Sequence, residues 1–216
     1  MSSIYINGLS GKMGITLKNL IKDEPNLEIV ETVKDSDLII DFSRPESTML
    51  VLQEAQEHKK PIIIGTTGFR DDEVKSIDEA SKNIPILLSF NMSKGIFYFK
   101  KNIKNFLKDN LDSFKCIISE THHAEKVDAP SGTAIELKKF IELNNNHNQI
   151  SSIEIESNRI LDAFGIHEVI FHNENNHVSF KHEALSRNIF ADGAIFIAKS
   201  ITGRSPGMYT VQDFFK

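Results

Sequence analysis

One short stretch carries most of the chain's chemistry: Glu120-Thr-His122-His123-Ala-Glu-Lys126-Val-Asp128-Ala-Pro130-Ser131-Gly132-Thr133-Ala134. An imidazole with an ordinary pKa near ~6.5 takes up or gives away a proton at neutral pH, and Lys126 offers a fixed charge or, if desolvated, an acid. Ser131 is a good helix N-cap, so the N–H groups of Gly132 and Thr133 point outward as a ready carboxylate site. Together these groups suit an anionic substrate that must be bound and protonated. Glu120, His122 and His123 are also potential metal ligands. Adjacent histidines on an extended segment point to opposite sides, however, and His167, His172, His177 and His182 recur every five residues and so alternate faces of a strand. No metal is expected, and on these residues alone a plain solvated loop remains the alternative.

A second candidate lies at the start. Ile4-Tyr-Ile-Asn7 followed by Gly8-Leu9-Ser10-Gly11-Lys12-Met13-Gly14 reads as strand, glycine-rich turn and helix start. Such a turn brings backbone close to a pyrophosphate, and the helix N-terminus faces it with unpaired N–H groups. The dinucleotide fingerprint is G-x-G-x-x-G, and Ser10 stands where its second glycine would be. A helix-start turn with packing glycines therefore stays open as the alternative. Gly65-Thr66-Thr67-Gly68 follows the apolar run Pro61 to Ile64, Ser89-Phe90-Asn91-Met92 follows the next run, and Asp41-Phe-Ser-Arg44-Pro45 an earlier one. Three polar loops at the carboxyl ends of parallel strands mark a ligand cleft.

The elements that must position these residues fall into two textures. From Met1 to about Met92, short apolar runs (Ile4 to Ile6, Leu27 to Val33, Leu38 to Phe42, Pro61 to Ile64, Pro85 to Phe90) alternate with helix-like stretches such as Ser47 to Lys59 and Asp71 to Lys82. That alternation predicts an α/β, Rossmann-like parallel sheet. From about Ser93 to Phe190 the pattern is α+β. It comprises a helix over Ile96 to Leu107, a strand over Lys115 to Ser119, a helix from about Gly132, and three strand-like runs. The last two, His167 to His172 and Val178 to Ala184, are joined by the hairpin signal Asn173-Glu-Asn-Asn176. The apolar helical run after Phe190 is expected to return to the first sheet. The organisation is thus a dinucleotide-binding domain over 1–92 and 191–216 and a substrate-binding and oligomerisation domain over 93–190.

Composition agrees with a globular protein: 216 residues, 40% hydrophobic and 25% charged. The 25 Lys+Arg against 30 Asp+Glu give a net charge of −5. A mildly acidic chain lacks the basic stripe that a nucleic acid demands. No apolar run approaches the ~18–20 residues that span a bilayer, and the N-terminus does not read as a signal peptide. Cys116, in an apolar run, reads as a buried inert thiol compatible with a reducing compartment. A cytoplasmic protein is expected.

The run E-x-H-H-x-x-K-x-D-A-P-S-G-T-A closely resembles the signature of the dihydrodipicolinate reductase family. The resemblance extends to Gly8 to Gly14 (the family's G-x-x-G-K/R-M-G form), Asp41-Phe-Ser-Arg-Pro45, Gly65-Thr-Thr-Gly68, Asn91-Met-Ser93, Gly165-x-His167, Ser186-Arg187 and Phe190-Ala-Asp-Gly-Ala194. It implies reduction of a cyclic dicarboxylate with NADH or NADPH, with loss of water, and a homotetramer joined through the sheets of the second domain. It makes His122 and Lys126 the proton-handling pair. His123, Ser131, Gly132 and Thr133 would hold substrate. Gly8 to Met13, Gly65 to Thr67 and Ser89 to Met92 would hold the cofactor. A binding-only sensor has no use for the His-Lys loop, and neither has another nicotinamide oxidoreductase such as an amino-acid dehydrogenase.

Two segments depart from the family. Only Glu31 to Asp37 separates the second apolar run from Asp-Phe-Ser, which leaves no room for the family's further strand and helix. The sheet should lack one strand and the adenosine pocket one wall. Lys34 and Asp35 fall together where cofactor identity is read, which leaves the preference open, and the missing wall is expected to leave selectivity between NADH and NADPH weak. Asn158 to Asp162 replaces a longer segment, with Arg159 as the family's arginine.

Overall fold

A computed structural model describes residues 1–160 and 163–216; Leu161 and Asp162, the end of the second shortened segment, lie outside the described residues. The chain runs through β1 (Ser2–Asn7), α1 (Lys12–Ile21), β2 (Leu27–Val30), β3 (Leu38–Asp41), α2 (Pro45–Glu57), β4 (Ile62–Ile64), α3 (Asp71–Ser81) and β5 (Pro85–Leu88). It continues with α4 (Lys94–Asp109), β6 (Phe114–His122), α5 (Gly132–Asn144), β7 (Ile150–Arg159), β8 (Ile166–His172) and β9 (His177–Glu183), and closes with α6 (Asn188–Ile201) and β10 (Gly207–Tyr209). Two compact units result, Met1–Ser93 with Arg187–Lys216, and Lys94–Ser186.

The first unit is a parallel sheet in the order β10-β5-β4-β3-β1-β2, a Rossmann-like arrangement. Its central strands are apolar on both faces, as a sheet covered by helices on each side requires. Ile39, Ile62, Ile64 and Ile86 meet Val51, Leu52 and Ala55 of α2 and Ile77 and Ala80 of α3. The alternate residues Leu38, Ile40, Ile63 and Leu87 are equally buried and face the other way. α6 contacts both β3 and α1.

The link between β2 and β3 crosses β1 without a helix, although a parallel crossover ordinarily takes a dozen residues or more. Register explains this economy. Ile4 of β1 lies opposite both Ile29 of β2 and Leu38 of β3, so β3 begins almost level with the end of β2. The link need only step sideways by two strand spacings, about 10 Å, well within the ~23–25 Å reach of seven extended residues. Asp37 fastens it beneath β1: its N–H donates to the Ser3 carbonyl at 2.8 Å, and its carboxylate accepts the Ser3 N–H at 2.8 Å. Val33, expected as strand, is instead a buried residue of this turn. Among the described residues β2 is the edge of the sheet, consistent with the missing strand. The opposite edge is β10, paired in parallel with β5, which at three residues is too short to leave a periodic signal in the sequence.

The second unit is a four-stranded mixed sheet in the order β7-β6-β8-β9. β6 pairs parallel with β7 and antiparallel with β8, and β8 and β9 form the expected hairpin. The Asn173 side chain closes that turn by accepting the N–H groups of Asn175 and Asn176. Ile96, Phe99 and Ile103 of α4 and Leu137 and Ile141 of α5 pack with Phe114, Cys116 and Ile118 of β6 and with Val169 and Phe171 of β8. Burial pushes the Cys116 thiol up to about 12, so it is an inert core residue. Among the described residues no helix is long and apolar enough to cross a membrane.

Candidate active site

Strand alternation builds the polar centre of the second unit. On β6 the buried face reads Phe114, Cys116, Ile118, Glu120, His122, so the face that begins as core ends on a carboxylate and an imidazole. On β8 the buried face reads His167, Val169, Phe171 in the opposite direction. Glu120 and His167 are direct register partners, so both strands turn from apolar to polar at the same level. The polar run expected as a loop therefore begins inside a strand, and His122 sits on a rigid element.

Glu120 is fully buried. One oxygen accepts from Arg159 Nη1 at 2.9 Å and from the Ser131 N–H at 3.3 Å, and the other meets His122 Nδ1 in a very short contact. Burial alone pushes this carboxyl up, but hydrogen bonds from Ser157, Arg159 and His122 outweigh it and hold the pKa below the usual range. His122 is pushed below its ordinary value, mainly by burial, with Glu120 pulling it back up. At neutral pH the pair is a carboxylate and a neutral imidazole. Because the carboxylate can only accept, Nδ1 carries the hydrogen and Nε2 is left to exchange a proton. Gly165 leaves that side of the ring open, since a Cβ there would stand 3.2 Å from Nε2.

The next residues surround this pair. Ser131 caps α5, its Oγ accepting the Ala134 N–H at 3.2 Å and meeting His167 Nε2 at 3.2 Å. Gly132 and Thr133 form the first turn of α5. Burial pushes the Asp128 carboxyl up, but Lys126 and a backbone hydrogen bond from Gly132 outweigh it and hold the carboxyl below its usual range. Burial pushes His167 down to about 3, so it is a neutral partner in this network. His123 Nδ1 is buried without a hydrogen-bond partner. Lys126 is paired with the Asp128 carboxylate at 2.7 Å. Arg159 reaches the same loop, donating from Nε to the Lys126 carbonyl at 3.3 Å and from Nη2 to the Asp128 carbonyl at 2.5 Å.

Ligand atoms of Glu120, His122 and His167 lie within 4.8 Å of one another, so the fold does bring together donors that the histidine spacing alone had set apart. The cause is strand pairing, which ignores sequence spacing. The guanidinium of Arg159 already stands on the shared carboxylate and supplies its positive charge.

In the first unit the expected cofactor residues converge on one rim. Gly8, Leu9, Ser10 and Gly11 form the β1–α1 turn, and Lys12 and Met13 open α1. Gly8 adopts φ +87°, and a Cβ there would fall 2.5 Å from the Phe42 carbonyl oxygen; at Gly14 it would fall 2.2 Å from the Gly8 oxygen. Only glycines let turn, helix and neighbouring loop approach so closely. Gly65, Thr66 and Thr67 leave β4, and Ser89, Phe90, Asn91 and Met92 leave β5, at the same carboxyl edge. Thr66 is buried and spent on its neighbours, donating to Asp41 at 3.0 Å and accepting the Ser43 N–H at 2.9 Å. Asp41 also accepts from Asn7 and Thr48, tying the loops after β1, β3 and β4 into one frame. Asn91 and Met92 are buried, and α6 presses on them: a Cβ on Gly193 would fall 1.8 Å from the Met92 oxygen.

Beside the glycine turn lies an open cleft of about 890 Å³, with Gly8, Leu9, Ser10 and Lys18 on one side and Ile29, Val30 and Glu31 on the other. The residue facing it from the end of β2 is Glu31, whereas Lys34 and Asp35 belong to the following turn, where Asp35 accepts from Thr32. β2 ends at Val30, so Glu31 is the first residue after the strand. The glycine cradle, the helix N-terminus and the cleft fit a dinucleotide.

The roles missed from sequence are Glu120 as the partner of His122, Arg159 as a link to the loop, His167 as the partner of Ser131, Asp41 as the acceptor that joins three loops, and Glu31 as a wall of the cleft. A period of two on β6 is the one local signal that joins Glu120 to His122; the others depend on pairing between distant segments.

Comparison with known proteins gives the same reading for both units. Residues 29–92 match the family described as "Dihydrodipicolinate reductase, N-terminus", and residues 95–215 that described as "Dihydrodipicolinate reductase, C-terminus". A 4-hydroxy-tetrahydrodipicolinate reductase of Caldanaerobacter subterraneus subsp. tengcongensis is 34% identical over 249 residues, covering 100% of this chain and 99% of the relative. One from Rickettsia bellii is 35% identical over 240 residues, covering 99% and 94%. Among solved structures, a dipicolinate-bound dihydrodipicolinate reductase from Paenisporosarcina sp. TG-14 shares the fold with a TM-score of 0.75 at 18% identity, covering 97% of each chain. An amine dehydrogenase from Mycobacterium smegmatis shares it with a TM-score of 0.68 at 8% identity, covering 100% of this chain and 96% of the other.

Proposed function

The chain belongs to the dihydrodipicolinate reductase family, and on that premise we propose how its residues divide the work of the reaction. The enzyme reduces 4-hydroxy-tetrahydrodipicolinate to tetrahydrodipicolinate with NADH or NADPH and releases water, a step of lysine and diaminopimelate biosynthesis.

The observation that carries the assignment of roles is the His122 imidazole, oriented by buried Glu120, beside the capped N-terminus of α5. A reduced nicotinamide supplies the hydride. Gly8 to Met13 receive the dinucleotide phosphates on backbone N–H groups, and Gly65 to Thr67 and Ser89 to Met92 line the rest of that rim. Gly132 and Thr133 hold one carboxylate of the substrate at the start of α5, and Ser131, whose N–H serves Glu120 and whose Oγ serves Ala134 and His167, supports that helix start from behind. The partnerless Nδ1 of His123 makes it a further substrate contact. Lys126 exchanges its Asp128 partner for the substrate and donates the proton that accompanies the hydride. His122 Nε2 takes up or returns a proton, and the Glu120 charge steadies the imidazolium while it exists. The dipicolinate held by the Paenisporosarcina enzyme is a planar dicarboxylate of the chemistry this arrangement suits.

The chain is further proposed to act in the cytoplasm, as its composition and lone buried cysteine suggest. A homotetramer is proposed to form through the open face of the second unit's sheet. Ile117 and Ile170 stand opposite one another on that face, away from the helices; the mass of the protein in solution tests it.

The decisive assay supplies the product of dihydrodipicolinate synthase together with NADH or NADPH and follows loss of the reduced nicotinamide. Oxidation of neither would overturn the assignment. Lys126→Ala should remove about 10²–10⁴-fold of turnover, the usual worth of a positioned proton donor, while dinucleotide binding survives. Normal turnover in that variant would take Lys126 out of its role.

A further inference from the structure

Arg159 occupies an unusual junction. It ends β7 directly opposite His122 of β6, and the backbone there is fixed, with the Ile160 N–H donating to the His122 carbonyl at 2.9 Å. From this rigid strand end the guanidinium reaches in two directions. Nη1 grips Glu120, the carboxylate that orients His122, at 2.9 Å. Nε and Nη2 reach the carbonyls of Lys126 and Asp128 at 3.3 and 2.5 Å. Those are the two residues whose side chains pair with one another at 2.7 Å.

The segment between His123 and Pro130 is irregular and largely exposed, and its turn is closed by the Lys126 N–H on the His123 carbonyl at 3.1 Å. An irregular exposed loop does not hold a side chain to within an ångström by itself, and misplacement of that size costs catalysis heavily. The planar fork of arginine, always charged and with donors pointing along fixed directions, can serve a carboxylate and two carbonyls at once. A lysine ammonium in the same place is a single point and cannot span them.

We propose that Arg159 is a positioning residue: it clamps the Lys126 loop in register with the Glu120–His122 pair, so that the two proton-handling groups keep a fixed separation. The inference rests on the roles of Lys126 and His122 proposed above. Arg159 touches no reacting atom and acts through the residues it holds.

A double-mutant cycle tests it on the intact enzyme. Arg159→Ala should lower kcat by about a hundredfold with the affinity for NADH unchanged, since the dinucleotide rim belongs to the other unit. Added guanidinium should restore part of that turnover in Arg159→Ala, and Arg159→Lys should not match wild type. The decisive reading is coupling: Arg159→Ala placed on Lys126→Ala should slow the enzyme far less than it slows the wild type, because the clamp then has no Lys126 side chain to position and only its hold on Glu120 remains to be lost. Losses that multiply, or an Arg159→Ala enzyme within about twofold of wild type, would overturn the clamp. Should Arg159→Ala fail to fold, Arg159→Lys keeps a cation beside Glu120 and carries the same cycle. If Lys126→Ala itself turns over normally, the role of Lys126 falls; if it is inactive while the losses multiply, only the clamp falls.

Discussion

Replacing Glu120 by glutamine keeps the shape of the side chain and removes its charge. Glu120 is 0% exposed, and its two oxygens serve the Arg159 guanidinium, the His122 ring N–H and the Ser131 N–H. An amide has one acceptor oxygen, so its NH2 must face either the guanidinium or His122 Nδ1. The first arrangement sets two donors against each other. The second forces the imidazole hydrogen onto Nε2, the nitrogen that must exchange a proton. Removing one member of a buried ion pair costs about 3–5 kcal/mol. The Arg159 side chain keeps 20% exposure, so water takes over part of its charge and the lower end is expected. About 3 kcal/mol corresponds to a melting temperature lower by about 6–12 °C in a chain of this size. The pH profile should move as well. Burial pushes His122 down and the Glu120 charge opposes it, so removing that charge lowers the His122 pKa further. The limb of kcat/KM governed by His122 should therefore shift to lower pH. Urea unfolding and a pH–rate series with either nicotinamide measure both effects. A variant as stable as wild type whose limb has not moved would refute the ionised pair.

Two other consequences are open to measurement. His167, 3% exposed, titrates near 3 because of burial, whereas an unfolded histidine titrates near ~6.5. Between those values the unfolded chain binds a proton that the folded chain refuses, so stability present above pH ~6.5 is lost as pH falls through the window. His167→Gln should move the acid-unfolding midpoint, followed by circular dichroism, to lower pH; an unmoved midpoint would assign acid lability to other groups. Glu31 lines the cleft beside the glycine turn, and a carboxylate there is expected to accept a ribose hydroxyl and to repel a 2′-phosphate. NADH should bind about tenfold or more tighter than NADPH, about 1.4 kcal/mol, against the weak selectivity that a missing wall alone would give. Glu31→Ala should narrow the gap in fluorescence titrations, and equal affinities in the unaltered enzyme would remove Glu31 from this role.

The readable parts of the fold were those with local causes. Ser131 caps α5 because a serine hydroxyl satisfies a helix N–H wherever it falls, and Asn173 closes the β8–β9 hairpin by the same kind of local bond. Helices α2, α3, α4 and α6 announced themselves through apolar spacing and flanking polar residues, with ends displaced by a few residues. β10 escaped notice because three residues have no period to read, and its place is decided by β5 beside it.

Local sequence was enough to place a glycine turn between a strand and a helix, and a His-Lys run ahead of a capped helix, because spacing along a strand, turn or helix start is a local property. It also determined the shortened crossover, since seven residues cannot contain a helix that returns. Only the tertiary structure decided which groups meet. Glu120 and His167 are partners because β6 and β8 run antiparallel in one register, and Arg159 reaches the Lys126 loop because β7 ends beside His122. Glu31 lines the cleft beside the glycine turn, whereas Lys34 lies in the turn that follows, because β2 stops at Val30. Register between distant strands is set by how whole faces bury against helices, so no window of sequence around His122 contains the Arg159 guanidinium and the His167 ring that stand around the Glu120–His122 pair.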